Sequence, residues 1–391
     1  MIGFTAAAIA LLAGSAVAAP VAGPPSLIER TSVDTLALNI TYQSPRNSTY
    51  DHLPKLLIMA TGGTIAGSSA SNTDSTLYTA GVVGVAALVE AVPTLLEVAQ
   101  IDGVQFSNVG SSSLTDENAL QLSKTANEAL CGAESEYDGL VMSAFTTHGT
   151  DTVEETAFLL DMTVNCGKPV VTTAAMRPSS AISADGPNNL LQAARTAVSP
   201  DSRDRGALIV LNDRICAAYY CQKTQANTVD TFESPEQGSI GTLLSTMPFY
   251  YFTASQPTFK KTFDLSNVTE LPPVEIFYGY QGTDFHLLNA SVAAGAKGVV
   301  LAGAGAGSLA SAGLATINAT LAHGIPVVRS SKINNGFVVP GAYPGTIAAG
   351  SLNPVKARRM LQVLLATGHS HAAIRTAFEA PLETFLAARA A

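Results

Sequence analysis

Leu56-Leu57-Ile58-Met59-Ala60-Thr61-Gly62-Gly63-Thr64-Ile65-Ala66-Gly67 reads as a short apolar strand that breaks into a glycine turn and presents a threonine at its rim. The run Leu56 to Ala60 is apolar throughout, without polar alternation. Strands of that kind are covered on both faces and belong to parallel sheets. Gly62 and Gly63 allow a sharp reversal and a close approach of backbone to ligand. Similar apolar runs, each followed by a polar, glycine-bearing turn and a helical pattern, stand at Gly139 to Phe145, Pro169 to Ala174 and Ala207 to Leu211. From Met247 to Pro273 the chain becomes aromatic and Thr/Ser-rich, closing on Pro272-Pro273. The alternation resumes with Val274 to Tyr278, Gly298 to Ala302 and Pro326 to Arg329. This pattern predicts an α/β fold. A larger N-terminal domain with a doubly wound, mostly parallel sheet is expected over 54–246, a linker over 247–273 and a smaller C-terminal α/β domain over 274–391.

Composition supports that division, since 391 residues are many for one core and the 47% apolar content is enough to fill two. A net charge of -9 leaves no basic stripe to neutralise phosphates, so a nucleic-acid partner is not expected. Residues 1–19 carry no charge, are rich in Ala, Leu and Ile, and end in Ala16-Val17-Ala18-Ala19 before Pro20, as a signal peptide does. Residues 20–53 are polar and read as a loose arm. Asn-x-Ser/Thr sequons at Asn39, Asn47, Asn267, Asn289 and Asn318 suit a secreted glycoprotein. No later apolar run is long enough to span a membrane. Four cysteines, Cys131, Cys166, Cys216 and Cys221, allow three connectivities. Their neighbourhoods favour Cys131–Cys166 and Cys216–Cys221 in an oxidising compartment. No metal is expected, because no His or further Cys lies at ligand spacing.

The chemistry-bearing residues fall where doubly wound sheets bind ligands, beyond the carboxyl ends of strands. The first strand delivers Thr64. The second is followed by Thr146-Thr147-His148-Gly149-Thr150-Asp151-Thr152-Val153-Glu154-Glu155. Thr152 and Glu155 sit at capping-box spacing, so a helix is expected to begin there with its positive end toward the site. Two hydroxyls and a carboxylate at adjacent strand ends are the parts of a nucleophilic site for acyl transfer. Gly303-Ala304-Gly305-Ala306-Gly307 lacks the spacing of a dinucleotide loop. Neither a Gly-x-Ser-x-Gly elbow nor a Walker element occurs, and no cofactor is expected.

The segments Ala60 to Gly67 and Thr147 to Thr152 together resemble the two signatures of the type II L-asparaginases, the secreted or periplasmic branch of the bacterial-type asparaginase–glutaminase family. Matching stretches continue through Asn108 to Ser111, Lys168 to Val171, Ala175 to Pro178, Ser183 to Pro187, Asn212-Asp213, Lys223-Thr224, Gly350 to Pro354 and Lys356 to Arg358. The resemblance covers roughly residues 54 to 391. It implies hydrolysis of the side-chain amide of L-asparagine through a threonine acyl-enzyme. Thr64 would be the nucleophile, Tyr78 the tyrosine that covers it, and Thr150 the second threonine with Asp151 and Lys223 beside it. Ser111 and its neighbour Ser112 would lie at the substrate α-carboxylate, and Asp151 at its α-ammonium. The proton of Thr64 could pass to Tyr78 or to the Thr150–Lys223 pair. The resemblance also implies a homotetramer with sites at subunit boundaries, and it places the branch's disulfide at Cys131–Cys166.

The chain departs from the family where a neighbouring subunit completes the site. Ser112 stands where Gln is usual, Ser308 where Asn is usual, and no Asp or Glu occurs between Asp284 and Glu379. The loop from Lys332 to Gly345 is short. A desolvated ammonium with fewer charged partners is bound less tightly, so weaker affinity or relaxed selectivity is expected. Three other readings stand beside the asparaginase: a glutaminase-asparaginase, an amidotransferase subunit acting on aminoacyl-tRNA, and a secreted binding module that kept the fold without activity. Secretion and negative charge weigh against the amidotransferase.

Overall fold

A computed structural model describes residues 38–61, 84–107, 111–143 and 150–390. In chain order the first elements are β1 (Ile40–Gln43), β2 (Lys55–Ala60), α1 (Val85–Glu90), β3 (Gln100–Gln105), α2 (Asp116–Cys131), β4 (Gly139–Ser143), α3 (Val153–Thr163), β5 (Val170–Thr173), α4 (Gly186–Val198) and β6 (Ala207–Leu211). Short strands follow: β7 (Arg214–Ala217), β8 (Gln222–Lys223), β9 (Phe232–Glu233), β10 (Gly241–Leu244) and β11 (Met247–Tyr250). The remainder is β12 (Val274–Tyr278), α5 (His286–Ala293), β13 (Gly298–Gly303), α6 (Leu314–Ala322), β14 (Val327–Ser331), β15 (Ile347–Ala348), α7 (Pro354–Ala366) and α8 (His371–Ala390).

The expected α/β architecture is what forms. A nine-stranded sheet runs β1-β3-β2-β4-β5-β6-β7-β10-β11, and a separate four-stranded sheet runs β12-β13-β14-β15. From β3 to β6 neighbours are parallel, and the four-stranded sheet is parallel throughout. The strand order reverses at β2, which has β3 on one side and β4 on the other. In doubly wound sheets a crevice opens at such a reversal beyond the strand ends.

Alternation along β2 divides the packing. Leu56 and Ile58 face a core with Val85 and Leu88 of α1 and Leu190 and Ala194 of α4. Leu57 and Met59 face the opposite core, with Leu122 and Ala126 of α2 and Ala157 and Leu160 of α3. A third core joins the two sheets: Phe158 and Leu159 of α3 pack with Val300, Val328, Met360 and Leu361. Gly103 in β3 makes a close approach possible, since a Cβ there would stand 2.9 Å from a Val85 methyl and 3.0 Å from Tyr42 Cβ. The segment expected as a linker opens with β11, which pairs antiparallel with β10 at the sheet edge. Further along it, Lys260 donates to buried Asp161 of α3 at 2.7 Å. That pair moors the segment to the large sheet's helical layer.

Two sequence expectations are corrected. The helix after Thr150 and Asp151 begins where expected, at Val153, but Thr152 makes no side-chain capping bond. Glu155 lies instead 3.6 Å from Arg359 of α7, an ion partner on another helix. A full capping box closes on α2, where Thr115 and Asn118 bond each other's backbone N–H. The second correction concerns sulfur. Cys131–Cys166 is a disulfide, tying the end of α2 to the chain before β5, but Cys216 and Cys221 are free, buried thiols. The turn between them is fixed by Cys221 N–H and Tyr220 N–H, which both donate to Ala217 O. It brings the thiols into a mutual hydrogen bond rather than a covalent one, and that bond, with help from Ser239 and Ser234, lowers the Cys216 thiol to about 7.

Asp116 joins the first turn of α2 to α7, accepting from Arg358 at 2.8 Å, Arg359 at 2.5 Å and Gln362 at 2.7 Å. Burial pushes its carboxyl up, but the two guanidiniums and the amide win and hold it below its ordinary 3.8. A depressed carboxylate stabilises the fold above its unfolded pKa and loses that contribution as pH falls through its folded value. Asp116→Asn should therefore lower the urea midpoint near neutral pH and flatten its decline below 3.8. Equal acid slopes in the two proteins would contradict this.

Candidate functional site

The carboxyl edge of β4 leads to Thr150 and Asp151, just ahead of α3. Thr150 is buried, and its Oγ1 accepts from Lys223 Nζ at 2.8 Å. Asp151 is 72% exposed at its side chain, and its Oδ1 accepts from the same ammonium at 2.7 Å. The structure thus brings three of the expected site residues together across 72 and 73 positions of sequence. Lys223 spends two of its three protons there. Because Thr150 Oγ1 is an acceptor toward Lys223, its own proton points elsewhere and can be donated to a ligand or passed on. The exposed side of Asp151 keeps negative charge at the rim, where it can meet an ammonium group.

Thr64 and Tyr78 lie outside the described residues, as does His148. Thr61 at the exit of β2 is buried, and its carbonyl accepts from Ser107 Oγ of the chain leaving β3 at 2.7 Å. Ser111 and Ser112 belong to a single 3-10 turn, Ser111–Ser113, ahead of the capped α2, and Ser112 is exposed. Ser308 sits far along the chain in a bridged turn with Ala304 after β13. It lines a cavity of about 370 Å³ with Tyr280, Phe285 and Lys332. Among the described residues no cluster of His, Cys, Asp and Glu could hold a metal ion.

Beneath the Lys223 ammonium lies a polar layer to which sequence reading assigned no role. Lys223 is carried on β8, a two-residue strand that among the described residues pairs only with β9, too short to hold itself. It is held from below. Glu154, in the first turn of α3, is buried and faces the charge of Lys356. Its Oε2 also accepts Asn353 Nδ2 at 3.1 Å. Asn353 caps α7 through its Oδ1, which accepts the N–H of Lys356 at 3.1 Å. The Lys356 ammonium is buried and donates to the carbonyls of Ala218 at 2.9 Å, Tyr219 at 3.0 Å and Cys221 at 2.5 Å. Burial pushes the Glu154 carboxyl up and the Lys356 ammonium down, and each opposes the other's shift. Asn353 and Lys356 stand inside stretches already matched to the family, but their partners lie 131 to 199 positions away. No local spacing could reveal them.

The five sequon asparagines, Asn39, Asn47, Asn267, Asn289 and Asn318, are all exposed. Among the described residues no helix is long and apolar enough to cross a membrane.

Comparison with known proteins adds to this geometry. Residues 55–255 match the family profile described as "Asparaginase, N-terminal", and residues 273–378 match "Glutaminase/Asparaginase C-terminal domain". The chain is similar to L-asparaginase 2 of Bacillus subtilis (strain 168), at 46% identity over 316 residues, which is 80% of this chain and 83% of that protein. It is similar to a probable periplasmic L-asparaginase of Haemophilus influenzae, at 40% identity over 333 residues, 84% of this chain and 93% of that protein. A crystal structure of a probable cytoplasmic L-asparaginase from Campylobacter jejuni superposes with a TM-score of 0.78 at 37% identity, covering 83% of this chain and 99% of that one.

The sulfur arrangement beside the site is open to direct count. Unfolded in guanidinium without reductant, the chain should yield the two thiols of Cys216 and Cys221 to a thiol reagent, and all four cysteines after reduction. A yield of none before reduction would restore the second disulfide.

Proposed function

The chain belongs to the asparaginase family, and on that premise we propose that it hydrolyses the side-chain amide of L-asparagine to L-aspartate and ammonia through an acyl-enzyme on Thr64. The observation that carries this reading is the Lys223 ammonium, clamped between Thr150 Oγ1 and Asp151 Oδ1 at the carboxyl edge of the sheet.

An amide carbonyl is a poor electrophile, and splitting the reaction into two transfers divides the barrier. In the first, Thr64 Oγ attacks the amide carbon while its proton moves to an acceptor. The oxyanion collapses, the C–N bond breaks, and ammonia leaves with that proton. In the second, water adds to the Thr64 ester, the C–O bond to Thr64 breaks, and L-aspartate departs. Two routes for the proton keep their support: Tyr78, close to Thr64 in sequence, and Thr150 with Lys223. The clamp favours the second route, since a cation at Thr150 Oγ1 stabilises negative charge developing on that oxygen. Asp151 supplies the charge for the α-ammonium of the substrate, and Ser111 with Ser112 the hydroxyls for its α-carboxylate.

Selectivity is the second point. Ser112, Ser308 and the absence of any acid from 285 to 378 remove groups that would hold the amino-acid head. This favours a glutaminase-asparaginase of relaxed selectivity over a strict asparaginase. Secretion is supported by the apolar stretch 1–19, the exposed sequons and the Cys131–Cys166 disulfide. The relatives carry both periplasmic and cytoplasmic names, so it rests on the chain's own features. A homotetramer is the assembly that the family resemblance supports.

Ammonia release from asparagine and glutamine tests the reading. Wild type should release it from asparagine, and Thr64→Ala should lose on the order of 10³-fold or more in kcat, as removal of a nucleophile does. A Thr64→Ala variant that retained activity would overturn the acyl-enzyme. Separate titrations of the two amides test selectivity. Turnover of both is expected, and a micromolar KM with strict preference for asparagine would sink the relaxed-specificity reading.

A further inference from the structure

We propose that the outer face of the β10–β11 hairpin, formed by Leu244, Met247, Phe249, Tyr251 and Phe252, seats the same face of a second copy of this chain across a two-fold axis. The proposal rests on the homotetramer reading above only for the presence of further copies, and not at all on the reaction.

The hairpin closes the nine-stranded sheet, with β11 as its last strand. Its two-residue turn has positive φ at both Ser245 and Thr246, which fits the twist of the flanking strands. Side chains alternate across a strand, so Met247, Phe249 and Tyr251 share one face. Leu244 stands opposite Met247, and Thr242 opposite Phe249. The other face is moored. Tyr250 packs against the first core, its Oη bonds Ser202 Oγ at 2.6 Å, and the Arg205 guanidinium lies 3.8 Å over its ring. Arg205 also donates to Phe252 O at 2.8 Å. The outer face thus stands on a fixed backbone. Among the described residues, the second core contains no residue of β10 or β11. Leu244, Met247, Phe249, Tyr251 and Phe252 are accordingly 51–63% exposed. Phe249 meets Tyr251 edge-on, and Tyr251 meets Phe252 likewise.

Area, charge and edge chemistry select the occupant. An aromatic side chain can bury roughly 150–250 Å², so five large side chains about half in water leave on the order of 500 Å². Two such faces would remove about 1,000 Å² from water, where specific interfaces begin. Residues 237–259 carry no Asp, Glu, Lys, Arg or His in a chain of net charge -9, and none of the five sequons falls among them. Contact of this stretch with itself therefore brings no like charges of its own together, and an isologous contact needs only self-complementarity. One cation reaches the rim, where Arg195 Nη1 lies 3.0 Å from Met247 Sδ. The free strand edge is a poorer docking point. Leu243 N–H donates to Asp213 O, away from β11. Pro248 stands directly opposite Leu243, so its nitrogen points to the free edge and has no proton to offer. Proline in that place blocks addition of another strand. The face remains.

Phe249→Lys and Phe249→Glu each set like charges across the axis and leave the moored face intact. In sedimentation velocity the full-length wild type should run as an assembly, and each folded variant at half its mass. An equimolar mixture of the two variants should regain the wild-type mass, because lysine on one copy then meets glutamate on the other. Wild type running as a single chain would defeat the homotetramer reading and this proposal together. An assembled wild type whose mass neither substitution changes would overturn this proposal alone, as would a mixture that stays at half mass. Binding to phosphatidylcholine vesicles that both variants lose at unchanged mass would give the face to a lipid surface instead.

Hydroxyl-radical labelling of wild type needs no substitution and decides the matter even if neither variant folds. In the assembled protein Phe249, Tyr251 and Phe252 should be labelled several-fold less than half-exposed rings are in water. Labelling at the open rate would overturn the interface.

Discussion

One buried ammonium orders much of what surrounds it. Lys356 is carried by α7, packed beneath the second sheet, and places three N–H donors on carbonyls of 218, 219 and 221 in the loop that leads to β8. Such a charge can be buried only if every proton finds an oxygen and an opposite charge lies near. Glu154 supplies that charge from α3, and the Phe158 ring lies 5.7 Å away. These conditions constrain each other. Moving α7 would strand the ammonium, moving the loop would strand the carbonyls, and moving α3 would strand the carboxylate. The requirement for satisfaction thus holds three elements from two sheets in one register, and Lys223 is the next residue but one along the loop.

Around that centre the ionic contacts repeat one arrangement. Asp116 at the start of α2 and Glu155 at the start of α3 both receive Arg359 of α7. Lys260 reaches Asp161 further along α3. Acidic first turns are favoured by the positive end of a helix, and here they also serve as docking points for cations on α7, while Asp161 near the end of α3 takes the cation of the segment 247–273. The apolar core that joins the sheets lies directly beside these pairs. Apolar burial contributes the larger part of the adhesion, and the directional ion pairs select which faces meet.

Much of this was legible in the sequence, and what was not has a common physical cause. Uniformly apolar runs such as Leu56 to Ala60 and Ala207 to Leu211 identify themselves as buried parallel strands, since no other placement hides both faces. β3 escaped because Asp102 and Gly103 break its pattern. In the fold Asp102 is paired with Arg46 at 2.5 Å and accepts from Tyr137 at 3.0 Å, so its burial depends on residues far away in the chain. Thr152 and Glu155 had the spacing of a cap, but spacing cannot show that Arg359 competes for the glutamate. Cys216 and Cys221 are close in sequence, yet the turn between them decides how their thiols meet. Thr150 and Asp151 stood out by their place at a strand end and Lys223 through family resemblance, whereas Glu154 drew no role, nor did Asn353 and Lys356 even inside matched stretches. Local pattern reports periodicity and turns; it is silent about a partner on another element.

The same distinction bears on selectivity. Asparagine and glutamine differ by one methylene, a difference worth about 1–3 kcal/mol in a site that can exploit it. Exploiting it requires the amino-acid head to be held rigidly relative to the nucleophile, so that the longer side chain has no room to shift. On the proposed reading the charge offered to the ammonium is Asp151, which is 72% exposed and already shares its Oδ1 with Lys223. A solvated, shared carboxylate holds a partner weakly, because water competes for it and screening reduces the attraction. Thr150, by contrast, is buried, and the Lys223 side chain that donates to it is 15% exposed. If the proposed roles hold, the more buried half of the site lies on the side of bond breaking and the exposed half on the side of substrate recognition. That asymmetry is one of burial: Thr150, Glu154 and Lys356 are buried, whereas Asp151 is open to solvent.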